Sequence, residues 1–299
     1  MRLEKNEMIL TSQMRRNNNK VQTSTNRMSF QTLVFIVVTL CALFSLFPVF
    51  ITLLNAFKTS ESVSSGIFIM PDKQMFSVFW ANMKEAWGAI GSKFFTTIGV
   101  AIVGAVGTTF LGAALSYILV FKDFYFKNFV FMLFIAVLLV PSIIGFPTLV
   151  PLMRDTFHLG DTYLGYVLPT IGGAQVGAMF LFRTFFSQQP KSLYESARLE
   201  GANDFHIFFR LTIPLALPIL LYYALTIFTS IYNDFLWASL ILSNKITLMP
   251  IIFTNADSGL IGQGSVYAMY VISSMPLVIT TFLSMKYFAS GEFASGMKL

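Results

Sequence analysis

The sequence predicts an all-α membrane protein of six spans, and three observations carry that reading. Of 299 residues, 55% are hydrophobic and 11% charged, with a mean hydropathy of +0.70, whereas soluble domains carry about 25% charged residues. Six apolar runs, at 30–54, 94–120, 128–153, 162–186, 214–242 and 265–288, each reach the roughly 20 residues that a helix needs to cross the hydrocarbon core. The 20 Lys and Arg divide 14 to 6 between alternate sides of these runs, which by the positive-inside rule puts both termini in the cytoplasm. Backbone groups in lipid must pair within their own segment, so the runs are helices.

The first element, 1–29, holds Arg2, Lys5, Arg15, Arg16, Lys20 and Arg27 against Glu4 and Glu7, with no apolar periodicity. It reads as a polar cytoplasmic tail. The run after it is too long for a signal-peptide core of about 7–15 residues and lacks a small-x-small cleavage site, so the tail is expected to stay attached. Residues 30–93 comprise the first span and a long extracytoplasmic loop. Cys41, the single cysteine, excludes an internal disulfide. In the loop, Phe76, Phe79, Trp80, Met83 and Trp87 fall on one helical face. They predict an amphipathic helix lying on the bilayer, a contact surface for an extracytoplasmic partner, or both.

Residues 94–290 form the core transmembrane domain. Gly99, Gly104, Gly107 and Gly112 dot its first span, where small residues let helices approach closely. Pro48, Pro141, Pro147, Pro218 and Pro276 fall in or near spans and predict kinks that neighbouring helices can tolerate. Between the fourth and fifth spans lies the cytoplasmic connection 187–213. Pro190 ends the preceding helix. Ser192 and Glu195 have capping-box spacing and predict a helix start. Gly201 falls where a positive φ would close that helix, and Asn203 or Asp204 can cap a second one. Phe205, Phe208 and Phe209 share a face of that second helix, and Pro214 marks entry to the fifth span. Taken singly, these residues only cap, turn and pack. Together they describe a helix–turn–helix at the membrane surface. Residues 291–299 close the chain as a second cytoplasmic tail.

Several chemistries are absent from the sequence. There is no G-x-x-x-x-G-K-[ST] phosphate loop. His158 and His206 stand alone without metal-ligand spacing. No nucleophile–base set can be assembled, and no basic, aromatic-interleaved patch suggests nucleic acid.

Glu195-Ser196-Ala197, then Gly201 after three intervening residues, and Leu211-Thr212-Ile213-Pro214 after nine more, resemble the EAA loop of membrane subunits of binding-protein-dependent ABC importers. Ser196 stands where that pattern has a second Ala. Leu199-Glu200-Gly201-Ala202, Tyr232-Asn233-Asp234-Phe235-Leu236-Trp237, and Lys286-Tyr287-Phe288 with Gly291, Gly296 and Lys298 resemble the maltose-type carbohydrate-uptake permease family over the chain after residue 29. The resemblance implies a type I ABC importer permease fold in a bacterial cytoplasmic (inner) membrane. It implies a complex with a second homologous permease subunit, two ABC ATPase subunits and an extracytoplasmic solute-binding protein, surrounded by membrane lipid. The solute would be a sugar, such as an oligosaccharide or a related glycan or polyol. ATP and magnesium would be bound by the ATPase subunits and no cofactor by this chain, which would not be an enzyme.

On the same grounds Glu195, Ser196, Ala197, Gly201, Ala202, Asp204, Phe205, Phe208 and Pro214 are expected to couple to the ATPase. Tyr232, Asn233, Asp234 and Trp237 are expected on or beside the substrate path, or alternatively as ties between helices. Thr247-Leu248-Met249-Pro250 resembles the family's loop before the last span, so Met249, Asn255 and Asp257 are expected to meet the binding protein. A permease for a non-sugar solute is the alternative. An ion-coupled secondary transporter is disfavoured, because Asp234 is the one carboxylate clearly inside a span.

Overall fold

The computed structural model describes residues 30–71 and 73–289, and every regular element among them is helical. The two tails, 1–29 and 291–299, with Gly291, Gly296 and Lys298, lie outside the described residues. Five helices are long and apolar enough to cross a membrane, or six if one sharply bent pair counts as a span.

Helix α1 (Phe30–Ala56) is the most apolar and stands apart, with none of its most hydropathic window buried in this chain. After the short α2 (Ser60–Ser65), α3 runs unbroken from Met75 to Phe121, 47 residues. The aromatic helix expected to lie on the bilayer is therefore continuous with the second span. The reason is local: no proline interrupts 75–121, and Gly88 and Gly91 cost helix stability without ending it. The aromatic stripe divides. Phe79 stacks on Phe57 at 4.2 Å and Met83 packs on the core, while Phe76, Trp80 and Trp87 remain exposed.

The third span departs further from expectation. Helix α4 (Lys127–Leu138) stops before Pro141. The chain then turns by 91° into a 3-10 turn (Ser142–Gly145), α5 (Phe146–Pro151) and a π-turn (Leu152–Thr156). Pro141 disfavours the helical conformation in the residue before it, and Pro151 supplies no N–H of its own. Helix α6 (Tyr163–Ser187) is capped by Thr162, whose hydroxyl accepts the Gly165 N–H at 3.0 Å.

Helices α7 (Lys191–Leu199) and α8 (Asp204–Ile207) lead through a π-turn (Phe208–Thr212) into α9 (Ile213–Tyr232). Helix α10 (Leu236–Ile241), α11 (Leu248–Ser258) and α12 (Gln263–Ala289) follow. The fifth span, read as one run over 214–242, is thus interrupted at Asn233–Phe235.

Helix α3 is the axis of the bundle, packed on α6, α9 and α12. Close approach is built into the sequence at Gly112, where a Cβ would lie 2.2 Å from Ala178 Cβ. One turn on, the buried Ser116 hydroxyl crosses the gap and donates to Met179 O at 2.9 Å. The buried residues form two main cores. One surrounds Tyr232, Trp237 and Ile241, and the other surrounds Phe182, Phe186, Tyr194 and Phe208.

Candidate functional site

The connection 187–213 folds as the expected hairpin of short helices. Helix α7 begins two residues earlier than the capping-box spacing predicts. Pro190, with φ −61°, is its N-cap and makes no side-chain cap, so Ser192 lies inside the first turn and is not placed to cap it. The C-terminal end follows expectation. Gly201 has φ +84°, its N–H donates to Arg198 O at 3.0 Å, and the Ala202 N–H donates to Ala197 O at 3.0 Å. This pair is a Schellman closure, which needs a left-handed residue at that position. Asn203 Oδ1 then accepts the His206 N–H at 2.8 Å and caps α8.

Two anchors that the sequence did not announce seat the hairpin. Tyr194 is buried and stacks on Phe121, at the end of α3, with ring centroids 3.9 Å apart. Asp204 accepts from Lys122 Nζ at 2.5 Å and from the Tyr117 hydroxyl at 3.2 Å. Both partners lie near the end of α3, 82 and 87 residues away in sequence, so no local pattern could have paired them. The three phenylalanines do not act alike. Phe208 is buried against Tyr117, with centroids 5.3 Å apart, whereas Phe205 is 76% exposed. Leu199, at the tip, is 89% exposed. Glu195 and Ser196 are exposed, and Ala197 and Ala202 half-buried. Pro214 sits at the first positions of α9. Its ring cannot donate to Arg210 O and crowds that carbonyl, which explains the π-widened turn immediately before it.

The second candidate region is the break at Asn233–Phe235. Asp234 accepts the N–H groups of Trp237 at 3.3 Å and Ala238 at 3.1 Å, so its carboxylate caps α10. Such a cap satisfies donors that the helix start leaves orphaned. Tyr232 is fully buried and its hydroxyl donates to Ser273 O at 2.9 Å. Trp237 is buried and its indole N–H donates to Tyr166 O at 3.0 Å. The Tyr166 hydroxyl in turn donates to Ile231 O, a carbonyl near the end of α9, at 3.1 Å. Only Asn233 among the four is exposed.

A clasp on the same side of the bundle closes the segment. Asp161 Oδ1 accepts three backbone N–H groups, from Ser243, Asn244 and Lys245, at 2.8 to 3.0 Å. Its own N–H donates to Ile241 O at 2.9 Å. These bonds hold the Asp161 carboxyl well below the usual carboxylate range, Lys245 and Ser243 contributing most. Sequence reading missed Asp161, because its partners lie 82 to 84 residues away. In the loop before the last helix, Asp257 is exposed, Asn255 half-buried, and Met249 half-buried against the core.

A family profile described as "binding-protein-dependent transport system inner membrane component" matches residues 109–292. The arabinooligosaccharides transport system permease protein AraQ of Bacillus subtilis is 32% identical over 86% of this chain and 92% of its own length. The diacetylchitobiose uptake system permease protein NgcG of Streptomyces coelicolor is 26% identical over 78% of this chain and 77% of its own. The sn-glycerol-3-phosphate transport system permease protein UgpE of Pectobacterium atrosepticum is 27% identical over 82% and 90%. In fold, the chain superposes with a TM-score of 0.70 on a chain from the crystal structure of a bacterial ABC transporter involved in the import of the acidic polysaccharide alginate. That likeness covers 87% of this chain and 96% of the other, at 20% identity.

Proposed function

From the premise that the chain belongs to the binding-protein-dependent transport system inner membrane component family, we propose that it forms half of the path for a carbohydrate and is driven through the 187–213 hairpin. It is a multi-pass inner-membrane permease subunit, a transport component and not an enzyme, which works with separate ATPase and solute-binding partners. In the full assembly a second homologous permease completes the path and two ATPase subunits hold ATP and magnesium. Both termini face the cytoplasm. The exposed apolar length of α1 supports a neighbour of lipid or protein on that side.

The observation that carries the coupling role is the hairpin itself. It is rigidly seated from beneath by Tyr194, Phe208 and Asp204, yet presents Leu199 and Phe205 outward. Large apolar side chains exposed in a chain so anchored suit a groove on a partner. Glu195, Ser196, Ala197, Gly201 and Ala202 shape that surface, and Pro214 joins it to α9. At the break, Asn233 offers an amide to the solute, while Tyr232, Asp234 and Trp237 hold the interrupted backbone that presents it. Met249, Asn255 and Asp257 lie on the face that receives the binding protein.

The carbohydrate reading rests on relatives named for arabinooligosaccharides and diacetylchitobiose. A non-sugar solute is the second reading, favoured by the relative named for sn-glycerol-3-phosphate. The test is reconstitution with the ATPase and binding protein in proteoliposomes. Cysteine at Leu199 or Phe205 should crosslink to the ATPase, and cysteine at Asn255 or Asp257 to the binding protein. The solute retained by the binding protein should be a glycan that stimulates ATP hydrolysis. A hairpin cysteine that never captures the ATPase would overturn the coupling assignment, and a phosphorylated polyol in the binding protein would select the second reading.

A further inference from the structure

A cavity of about 980 Å³ lies beside the hairpin, lined by the end of α3, the start of α4, the end of α6 and helix α7. Its wall carries four cations, Lys127, Arg183, Lys191 and Arg198, against two carboxylates, Asp123 and Glu195. Of these cations only Lys127 has a carboxylate partner among the ion pairs of the described residues. Asp123 is held by Lys127 at 3.1 Å, and Arg198 donates to Phe121 O at 3.2 Å. Arg183 is the unusual member. It is half-buried, and its guanidinium lies 3.8 Å from the centroid of the Phe131 ring. The ion pairs found among the described residues do not include it. A cation drawn away from water without a counter-ion is costly, and a ring on one face offsets only part of that cost.

The rim is aromatic. Phe124, Phe126 and Phe129 line the cavity and are 40%, 71% and 52% exposed. Phe126 sits in the left-handed region, φ 62°, which a bulky residue rarely adopts and which is retained at ligand clamps among other sites. The cavity lies where α3 and α6 end, on the side read above as cytoplasmic. Cations beside exposed phenylalanines match a phosphate headgroup with its acyl chains. A soluble anion would use the cations and leave the rim bare.

We propose that this groove holds the headgroup of an anionic phospholipid of the cytoplasmic leaflet. The headgroup bridges Arg183 on α6 and Lys127 on α4 to Lys191 on α7. The seat of the hairpin then depends on the charge of the surrounding lipid, a regulation that rests on the coupling reading above, whereas the lipid site itself does not.

The experiment uses the complete complex in nanodiscs of neutral phosphatidylcholine with or without phosphatidylglycerol. Native mass spectrometry counts retained phosphatidylglycerol, and binding-protein-stimulated ATP hydrolysis is followed in parallel. The wild type should retain the anionic lipid. The double variant Arg183→Gln with Lys191→Gln should retain it about tenfold less, given the attraction of each surface cation to anionic lipid, with assembly intact. Arg183→Lys keeps the charge and should restore retention. Equal retention by wild type and double variant overturns the site. Displacement of the lipid by inorganic phosphate identifies a free-anion site and also overturns it. Loss of ATPase subunits from the double variant with unchanged lipid retention assigns the groove to the ATPase interface instead. Lipid retention that responds as expected while ATP hydrolysis ignores phosphatidylglycerol would sink the regulation alone.

Discussion

The break at Glu200–Asn203 and the break at Asn233–Phe235 both interrupt a helix, yet different chemistry builds each. The first turns on neighbours: Gly201 bonds to Arg198, Ala202 to Ala197, and His206 to Asn203. The second is held largely by distant partners: Trp237 by Tyr166, Tyr232 by Ser273, and the following loop by Asp161. A turn closed by its own neighbours keeps its shape when the helix beneath it moves, so the hairpin, seated on α3, can travel with that helix as one body. A turn closed by two other helices and the loop before α6 reports on their arrangement and shifts only when they shift. The first suits a lever-driven contact and the second a rim that changes with the state of the bundle.

Four substitutions break or sharpen this contrast, in decreasing order of expected effect. Phe208→Ala empties a buried site beneath the hairpin and should cost about 3–5 kcal/mol, as large aromatic truncations do. Thermal unfolding of the purified subunit, followed by near-UV circular dichroism, would register it, and an unchanged melting temperature would mean the hairpin is not seated by that core. Gly201→Val has open space around it, so the penalty is purely conformational, about 1–3 kcal/mol. Insertion should survive while binding-protein-stimulated ATP hydrolysis and uptake collapse together. Preserved coupling in an assembled Gly201→Val complex would show that the left-handed turn is dispensable.

Asp234→Ala removes the α10 cap and should cost about 0.5–2 kcal/mol. Trp237 reports on this change, and replacing Trp80 and Trp87 with Phe leaves it as the sole indole of the three. Its emission should shift as α10 frays, whereas Asp234→Asn, with one acceptor kept, should shift it less. Solute affinity that falls in Asp234→Asn with emission unchanged would instead place the carboxylate in contact with solute. Asp161→Asn is expected to act least, lowering thermal stability without altering assembly. Its carboxyl is depressed in the fold, so its contribution is present above the unfolded value of about 3.9 and is lost only as pH falls through the lower folded value. Stability of the wild type relative to Asp161→Asn should therefore be flat from about pH 5 to 8, and a difference that vanishes within that window would refute the clasp.

The same contrast explains what could be read in advance. Most spans, the Asn203 cap of α8 and the Gly201 turn follow from hydropathy, a cap and a required φ, all encoded within a few residues. The α4–α5 bend and the α9–α10 break were read as continuous apolar runs. Pro141 signals only a kink, and the capping role of Asp234 depends on how the backbone beyond it turns. Stacking of Tyr194 on Phe121 and the hold of Asp161 on Ser243 join residues 73 and 82 positions apart, where pattern carries no information. The outer helix is present, but its continuity with the second span is hidden for the opposite reason. Its aromatic face looked self-sufficient, and nothing in the composition of 88–93 declared that the helix would simply continue.

That continuity has a mechanical consequence. At the helical rise, the 47 residues of α3 measure about 70 Å, more than twice the hydrocarbon thickness. Free of proline throughout, the rod has Lys122 and Tyr117 gripping Asp204 near one end. Near the other, Asn82 holds Ala56 O and Glu85 meets Ser265. Tilting such a rod by about 10° around its midpoint carries each tip about 6 Å, so a modest rotation imposed at the tip beside the hairpin arrives as a displacement of several ångströms at the far tip.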